Sequence, residues 1–268
     1  MIKAVFIDID GTLANSQRQV SIKNKEAIKR CIEKGIKIIL ASGRSRKEAI
    51  EFQKQVGASP YIISSNGASV YDLEKQMEIY NEIIDREIIE KLFKYSILND
   101  YKIRLNYKEE LVMNKATYHD ENDKVRTPEE LKKIIKSEKM VQCSISNEDF
   151  EKMKKFKEYL IKEIPQVKIE NESKRLNNPV LKPSSSYYCD ITSKLVSKGE
   201  AVEALCNYLK IHKQEIITIG DGENDISMFN KTQNSVAMGN ALNSVKEKAS
   251  YVTKSNDEDG VAKVLEKL

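Results

Sequence analysis

Ala4-Val5-Phe6-Ile7-Asp8-Ile9-Asp10-Gly11-Thr12-Leu13 decides the reading of this chain. The apolar, β-branched run predicts a strand over Ala4–Ile9 that is buried on both faces. It runs straight into two carboxylates one residue apart, followed by Gly and Thr. Side chains alternate along a strand, so Asp8 and Asp10 are expected to start from the same side. Gly11 permits a sharp turn, although Asp-Gly is also a common turn pair in its own right. Two like charges side by side are costly unless a cation lies between them or one carboxyl is protonated. A buried strand ending in this pair therefore points to a metal site, or to a nucleophile with an acid/base partner.

Working outward, the same design recurs. Strands are expected at Ile36–Ala41 and Tyr61–Ile63, ending in Ser42-Gly43-Arg44-Ser45 and Ser64-Ser65-Asn66-Gly67. Helices fall between them. Ser21 reads as an N-cap, Ala27, Ile28, Cys31 and Ile32 give one apolar face, Gly35 ends that helix, and a second covers Arg46–Val56. Such alternation predicts an α/β fold, a doubly wound parallel sheet covered by helices, whose ligands bind outside the carboxyl ends of the strands. From Asn81 to Ser186 the texture changes. Helical segments at Asp85–Leu98, Pro128–Ile135 and Glu148–Ile164 are separated by short alternating stretches at Tyr101–Tyr107, Glu110–Met113, Val141–Ser146 and Val167–Glu170. This reads as an inserted α+β unit with an antiparallel sheet covered on one face, placed at residues 83–187 between core segments 1–82 and 188–268. The parallel pattern then resumes. Lys198-Gly199 opens a helix, Glu215–Ile219 leads into Gly220-Asp221-Gly222-Glu223-Asn224-Asp225, and Ser235–Met238 leads into Gly239-Asn240-Ala241.

Composition narrows the function classes. The 268 residues carry 45 basic against 41 acidic side chains, interspersed, for a net charge of +4. A nucleic-acid binder would cluster its basic residues on a face or tail, so none is expected here. No run approaches the ~18 apolar residues of a membrane span, and a first strand at residue 4 leaves no room for a signal peptide. Cys31, Cys143, Cys189 and Cys206 have neither metal-ligand nor redox spacing. They are expected to be free thiols in a reducing, cytoplasmic setting.

Strand ends and a helix start thus collect several carboxylates, one lysine, one hydroxyl and several glycines. Taken singly, each cluster also has an ordinary reading as a loop, a turn, a calcium loop or a surface lysine. Together they suit the transfer of a phosphoryl group, where catalysis consists mainly of positioning and of neutralising charge. Asp8 is the candidate nucleophile. Asp10 can protonate the leaving oxygen and then activate water. Ser42 and the backbone N–H groups around Ile9, Asp10 and Gly43 can donate to phosphate oxygens. Lys198 supplies a positive charge, and Asp221 is a hard oxygen ligand suited to Mg²⁺.

In order, Asp8-Ile9-Asp10-Gly11-Thr12, Ser42-Gly43-Arg44, Lys198-Gly199 and Gly220-Asp221-Gly222-Glu223-Asn224-Asp225 resemble the four motifs of the haloacid dehalogenase (HAD) superfamily. The position of the insertion resembles the C2 cap subclass. Asn66-Gly67-Ala68, Ser197-Lys198-Gly199 and Met238-Gly239-Asn240-Ala241 resemble the Cof-type (class IIB) hydrolases in particular. The resemblance implies a Rossmann-like core with a C2-type cap, and a Mg²⁺-dependent phosphatase of small phosphorylated metabolites such as sugar phosphates. It implies Asp8 as the nucleophile that becomes an aspartyl-phosphate, and Asp10 as the acid/base. Asp8, Asp10 through its carbonyl, and Asp221 would hold the metal, with Asp225 as a further ligand or a support that orients Lys198. Ile9, Ser42, Gly43, Arg44, Asn66, Lys198 and Asn224 would contact phosphate or substrate. The cap is expected to close over the site and select the leaving group, with Lys115, His119, Lys182, Ser184 and Tyr187 as its polar or aromatic candidates. A monomer or small homo-oligomer is expected. A phosphomutase of the same fold and a catalytically silent binding module are the alternatives.

Overall fold

The computed structural model describes residues 1–115, 124–176 and 185–268. The chain divides into two compact units, Met1–Asn81 with Val196–Leu268, and Glu82–Leu195. The first unit begins with β1 (Ala4–Ile7), α1 (Ile22–Glu33), β2 (Lys37–Ala41), α2 (Arg46–Val56) and β3 (Tyr61–Ser64), followed by a hairpin of β4 (Ser69–Asp72) and β5 (Met77–Asn81). The second unit contains α3 (Arg86–Leu98), β6 (Lys102–Tyr107), β7 (Glu110–Met113), β8 (Lys124–Val125) and α4 (Pro128–Ser137). It continues with β9 (Gln142–Asn147), α5 (Phe150–Glu163), β10 (Val167–Leu176) and β11 (Ser185–Ser193). The chain then returns to the first unit with α6 (Lys198–Leu209), β12 (Ile216–Gly220), α7 (Ile226–Phe229), β13 (Ser235–Ala237), α8 (Asn243–Lys246), β14 (Tyr251–Val252) and α9 (Gly260–Leu265).

The first unit is built on an eight-stranded sheet in the order β14-β13-β12-β1-β2-β3-β4-β5. Strands β14 to β3 run parallel, and the hairpin adds two antiparallel strands at one edge. The continuous apolar run of β1 follows from two cores, one on each face. Val5 and Ile7 pack with Ile38, Leu40, Ala27 and Ile28. Ala4 and Phe6 pack with Ile39, Ala41, Val202 and Leu205. Register then sets the site. Ile7 lies opposite Leu40 of β2 and Ile219 of β12, so Asp8, Ser42 and Asp221 follow the strand ends at nearly one level.

The second unit has a sheet in the order β10-β11-β9-β6-β7-β8, antiparallel apart from the β7·β8 pair. Its core alternates as a one-sided sheet requires. Ile103, Leu105, Cys143, Ile145, Cys189 and Ile191 meet Leu92, Leu131 and Phe156 from the helices.

Three features differ from the sequence reading. β1 stops at Ile7, where the chain leaves strand geometry. The β4–β5 hairpin was not expected; its strands are only four and five residues long, and β5 is half-buried at the sheet edge, which leaves little periodic signal. The inserted unit runs to Leu195 rather than 187, because β11 pairs with β10 and β9 inside the second sheet. All four cysteines are buried free thiols. Among the described residues no helix is long and apolar enough to cross a membrane.

Phe156 is fully buried at the centre of the second unit, against Tyr95 and Tyr101. Phe156→Ala is expected to cost about 3–5 kcal/mol in urea unfolding. A loss below about 1 kcal/mol would show that this cluster does not form the core.

Candidate active site

Beyond Ile7 the chain folds back on itself. The Asp8 amide still donates to the Ile219 carbonyl at 3.0 Å, but Leu13 and Ala14 then donate to the carbonyls of Asp8 and Ile9 at 3.2 and 2.8 Å. The two-residue alternation of a strand therefore does not extend to Asp10, and the two aspartates part. Asp8 is buried, while Asp10 is exposed. Gly11 makes the turn with φ +79°, and a Cβ there would lie 2.3 Å from Asp221 Oδ2. Glycine is needed here both for the backbone conformation and for the space that Asp221 occupies.

Lys198 opens α6 directly after the cap Ser197, whose side chain accepts from the Glu200 amide. Its side chain is 1% exposed. Lys198 Nζ donates to Asp8 Oδ1 at 2.5 Å and to Asp225 Oδ1 at 2.6 Å. The other oxygen of Asp225 accepts from the amides of Asp221 and Gly222, both at 2.9 Å. Thr12 Oγ1 donates to Asp221 Oδ1 at 2.7 Å. Asp8 and Thr12 from the β1 loop, Lys198 from the start of α6, and Asp221 and Asp225 from the β12 loop thus form one cluster.

The electrostatics follow from this arrangement. Burial would lower Lys198, but Asp225 and Asp8 outweigh it and hold the ammonium charged. Burial pushes the Asp8 carboxyl well above the usual range. Lys198 pulls it back, while Asp225 and Asp221 raise it further. Asp221 is pushed up to about 6, chiefly by burial and against the Thr12 hydrogen bond. Oxygens of Asp8, Asp221 and Asp225 lie within 4.8 Å of one another, and Lys198 is the cation bound to two of them. Three carboxylates facing one ammonium are under-neutralised, and hard oxygens at this spacing fit a small divalent cation.

A second group of residues borders this pocket. Ser42 is buried at the end of β2, its Oγ accepting from the Arg44 amide at 3.2 Å and its carbonyl from the Asn66 amide at 3.0 Å. Asn66 is buried with φ +59°, and its Oδ1 accepts from Asn224 Nδ2 at 3.0 Å. This ties the loops after β2, β3 and β12 together. Gly43 links Ser42 to Arg44, and the Ile9 side chain is part of the core. Arg44 donates from Nε and Nη2 to the two oxygens of Asp10, at 2.7 and 2.6 Å.

The structure therefore gathers Asp8, Lys198, Asp221 and Asp225, links Ser42, Asn66 and Asn224, and turns the carboxylate of Asp10 onto Arg44, apart from the other three. Two contributors went without a role in the sequence reading. Thr12 holds Asp221. Asn240, which read equally as a turn, donates to the Gly11 carbonyl at 2.8 Å and reaches Asp221 Oδ2 at 3.4 Å. Its place after β13, at the same sheet edge, was the available signal. In the second unit Lys115 pairs with Asp100, and Tyr187 packs on Phe150 at 5.0 Å between ring centroids. His119, Lys182 and Ser184 lie outside the described residues.

A split parallel sheet with acidic loops at its carboxyl edge and a buried lysine among them defines a class. The chain belongs to the haloacid dehalogenase-like hydrolase family, whose model matches residues 5–265. It is 30% identical to phosphatase YwpJ of Bacillus subtilis, over 100% of both chains. A haloacid dehalogenase-like hydrolase from Bacteroides thetaiotaomicron superposes with a TM-score of 0.84 at 26% identity, covering 100% of this chain and 99% of that one. A HAD subclass IIB sugar phosphatase superposes with a TM-score of 0.77 at 26% identity, covering 99% and 98%.

Lys198→Met leaves Asp8 and Asp225 buried without their shared cation. It is expected to destabilise the metal-free protein by about 3–5 kcal/mol in urea unfolding near neutral pH. The deficit should shrink at about pH 5, as the Asp8 carboxyl, already raised by burial, takes up a proton. A loss below about 1 kcal/mol at neutral pH would contradict the geometry.

Proposed function

We propose that this hydrolase is a Mg²⁺-dependent phosphatase of small phosphorylated metabolites, sugar phosphates foremost, that works through an aspartyl-phosphate on Asp8. The observation that carries the proposal is the placement of Asp8, buried, on Lys198 and beside Asp221 and Asp225. The sugar phosphatase among the similar structures supports the substrate class.

Asp8 bonds to phosphorus through a carboxylate oxygen as the bond from phosphorus to the leaving oxygen breaks. Asp10, as the acid, gives its proton to that oxygen. As a carboxylate it then takes a proton from water while the water oxygen bonds to phosphorus. The bond to Asp8 breaks, releasing inorganic phosphate and restoring the carboxylate. Lys198 and the Ser42 hydroxyl face the negative charge of the phosphoryl oxygens. Asn224, steadied by Asn66, adds an amide to that ring. Asp8, Asp221 and the Asp10 carbonyl would hold the Mg²⁺, with Asp225 as a further ligand or as the support that orients Lys198, and with Thr12 and Asn240 steadying Asp221. When bound, the metal would supply positive charge facing the phosphoryl oxygens and the nucleophile.

Turnover of an aryl phosphate in the presence of Mg²⁺ tests the proposal. Asp8→Asn is expected to lower kcat by at least about 10³-fold, the order by which removal of a nucleophile acts. Retained activity would overturn the assignment. Release of inorganic phosphate without any added sugar bisphosphate separates hydrolysis from a mutase reaction.

The raised carboxyl of Asp221 gives a pH test. Burial pushes Asp221 up to about 6, above the ordinary aspartate range, so metal-free stability is lost as pH rises from that range through about 6. Mg²⁺ would bind the ionised form and recover that loss. Millimolar MgCl₂ is therefore expected to raise Tm more at about pH 7.5 than at about pH 5. Equal shifts at both pH values would contradict metal binding at Asp221.

A further inference from the structure

Asp10 stands on a tight loop with its side chain 54% exposed. An aspartate so placed would ordinarily move among rotamers, and a proton donor that wanders loses most of the advantage of proximity. Here both of its oxygens are bound. Arg44 donates from Nε and Nη2 in a bidentate fork, which fixes the plane of the carboxylate as well as its position; when Asp10 carries the proton it delivers, one arm of the fork opens to make room for it and the other keeps the side chain in place. Exposed ion pairs are weak in general, but a bidentate pair with a held arginine is the favourable case.

The arginine is held. Its Cζ lies 4.7 Å from the centroid of the Phe52 ring, a stacking geometry that a guanidinium accepts and an ammonium does not reproduce. Its amide donates to Ser42 Oγ, and its carbonyl accepts from the Ser65 amide at 2.8 Å. Phe52 belongs to α2, and the capping box of Ser45 with Glu48 starts that helix one residue after Arg44. The neighbouring Arg46 is committed elsewhere, to Ser69, Glu78 and the Tyr71 ring.

We infer that Arg44, stacked on Phe52, is a positioning residue for Asp10, and that it serves the reaction through Asp10 rather than by gripping the substrate phosphate. The inference rests on the phosphatase reading above. It differs from a direct phosphate contact, the role that the motif resemblance implies for Arg44, because the donor fork is occupied by Asp10.

The two roles separate by leaving group. kcat/KM covers only the steps up to departure of the leaving oxygen. An aryl leaving group such as p-nitrophenol needs little protonation, whereas an alkyl alcohol needs it fully. The experiment measures kcat/KM on p-nitrophenyl phosphate, phenyl phosphate and glycerol phosphate for wild type, Arg44→Gln, Arg44→Lys, Phe52→Leu and Asp10→Asn, and for Arg44→Gln combined with Asp10→Asn.

Arg44→Gln is expected to lose about 30-fold on glycerol phosphate and about threefold on p-nitrophenyl phosphate, within the span of general acid catalysis. Arg44→Lys, which keeps the charge without the fork, falls between wild type and Arg44→Gln. Phe52→Leu shifts the same ratio by a smaller factor. In the Asp10→Asn background, Arg44→Gln adds less than about twofold, because residues acting as a unit are not additive. An equal loss on all three substrates, or a full further loss in the Asp10→Asn background, would overturn the inference and restore a direct contact. An Asp8→Asn variant that keeps its activity would instead overturn the phosphatase reading, and the inference with it. A circular-dichroism melt of each variant separates a folding defect from these outcomes, and Arg44→Lys and Phe52→Leu carry the test if Arg44→Gln melts early.

Discussion

The fold places one ammonium group, that of Lys198, where water cannot reach it and where two carboxylates can. A buried lysine is tolerated only when its charge is matched. Asp8 and Asp225 do this, arriving from the first loop of the chain and from a loop more than two hundred residues later. The rest of the first unit can be understood as what holds those two loops level. β1 pairs in register with β12 on one side and β2 on the other, apolar side chains fill both faces, and α6 begins at the residue that must point inward. Glycines are used where this crowding demands them. At Gly11 the side chain of Asp221 fills the space of a Cβ, and at Gly220 a Cβ would meet Asp225 Cγ at 2.4 Å.

The same crowding has an electrostatic consequence. Lys198 offsets only part of the charge of Asp8, Asp221 and Asp225, so burial raises Asp8 and Asp221. Such a pocket is costly in isolation, and a bound cation would offset that cost.

Much of this was legible in the sequence, for a definable reason. Parallel strands that start in register bring the residues just after them to one edge, so acidic and glycine-rich loops following apolar runs could be assembled on paper. Asp8, Ser42, Asp221 and Asp225 follow that rule, and Lys198 followed from opening an apolar-faced helix. What was not legible depends on geometry beyond regular structure. Asp10 obeys loop hydrogen bonding rather than strand alternation, so its separation from Asp8 and its pairing with Arg44 could not be read from spacing. Thr12 and Asn240 act on Asp221 through contacts made in three dimensions. The β4–β5 hairpin is too short and too exposed for periodicity, and the end of the insertion was obscured because β11 continues its own sheet six residues past the expected boundary, to Ser193, before the core resumes at Val196.

The central claim is that these distant carboxylates converge on one divalent ion. Electron paramagnetic resonance of Mn²⁺ titrated into the protein measures it most directly. One tight ion per chain, displaced by Mg²⁺ and lost in both Asp8→Asn and Asp221→Asn, is the expected result. Binding that survives either substitution with unchanged stoichiometry and affinity would contradict the account.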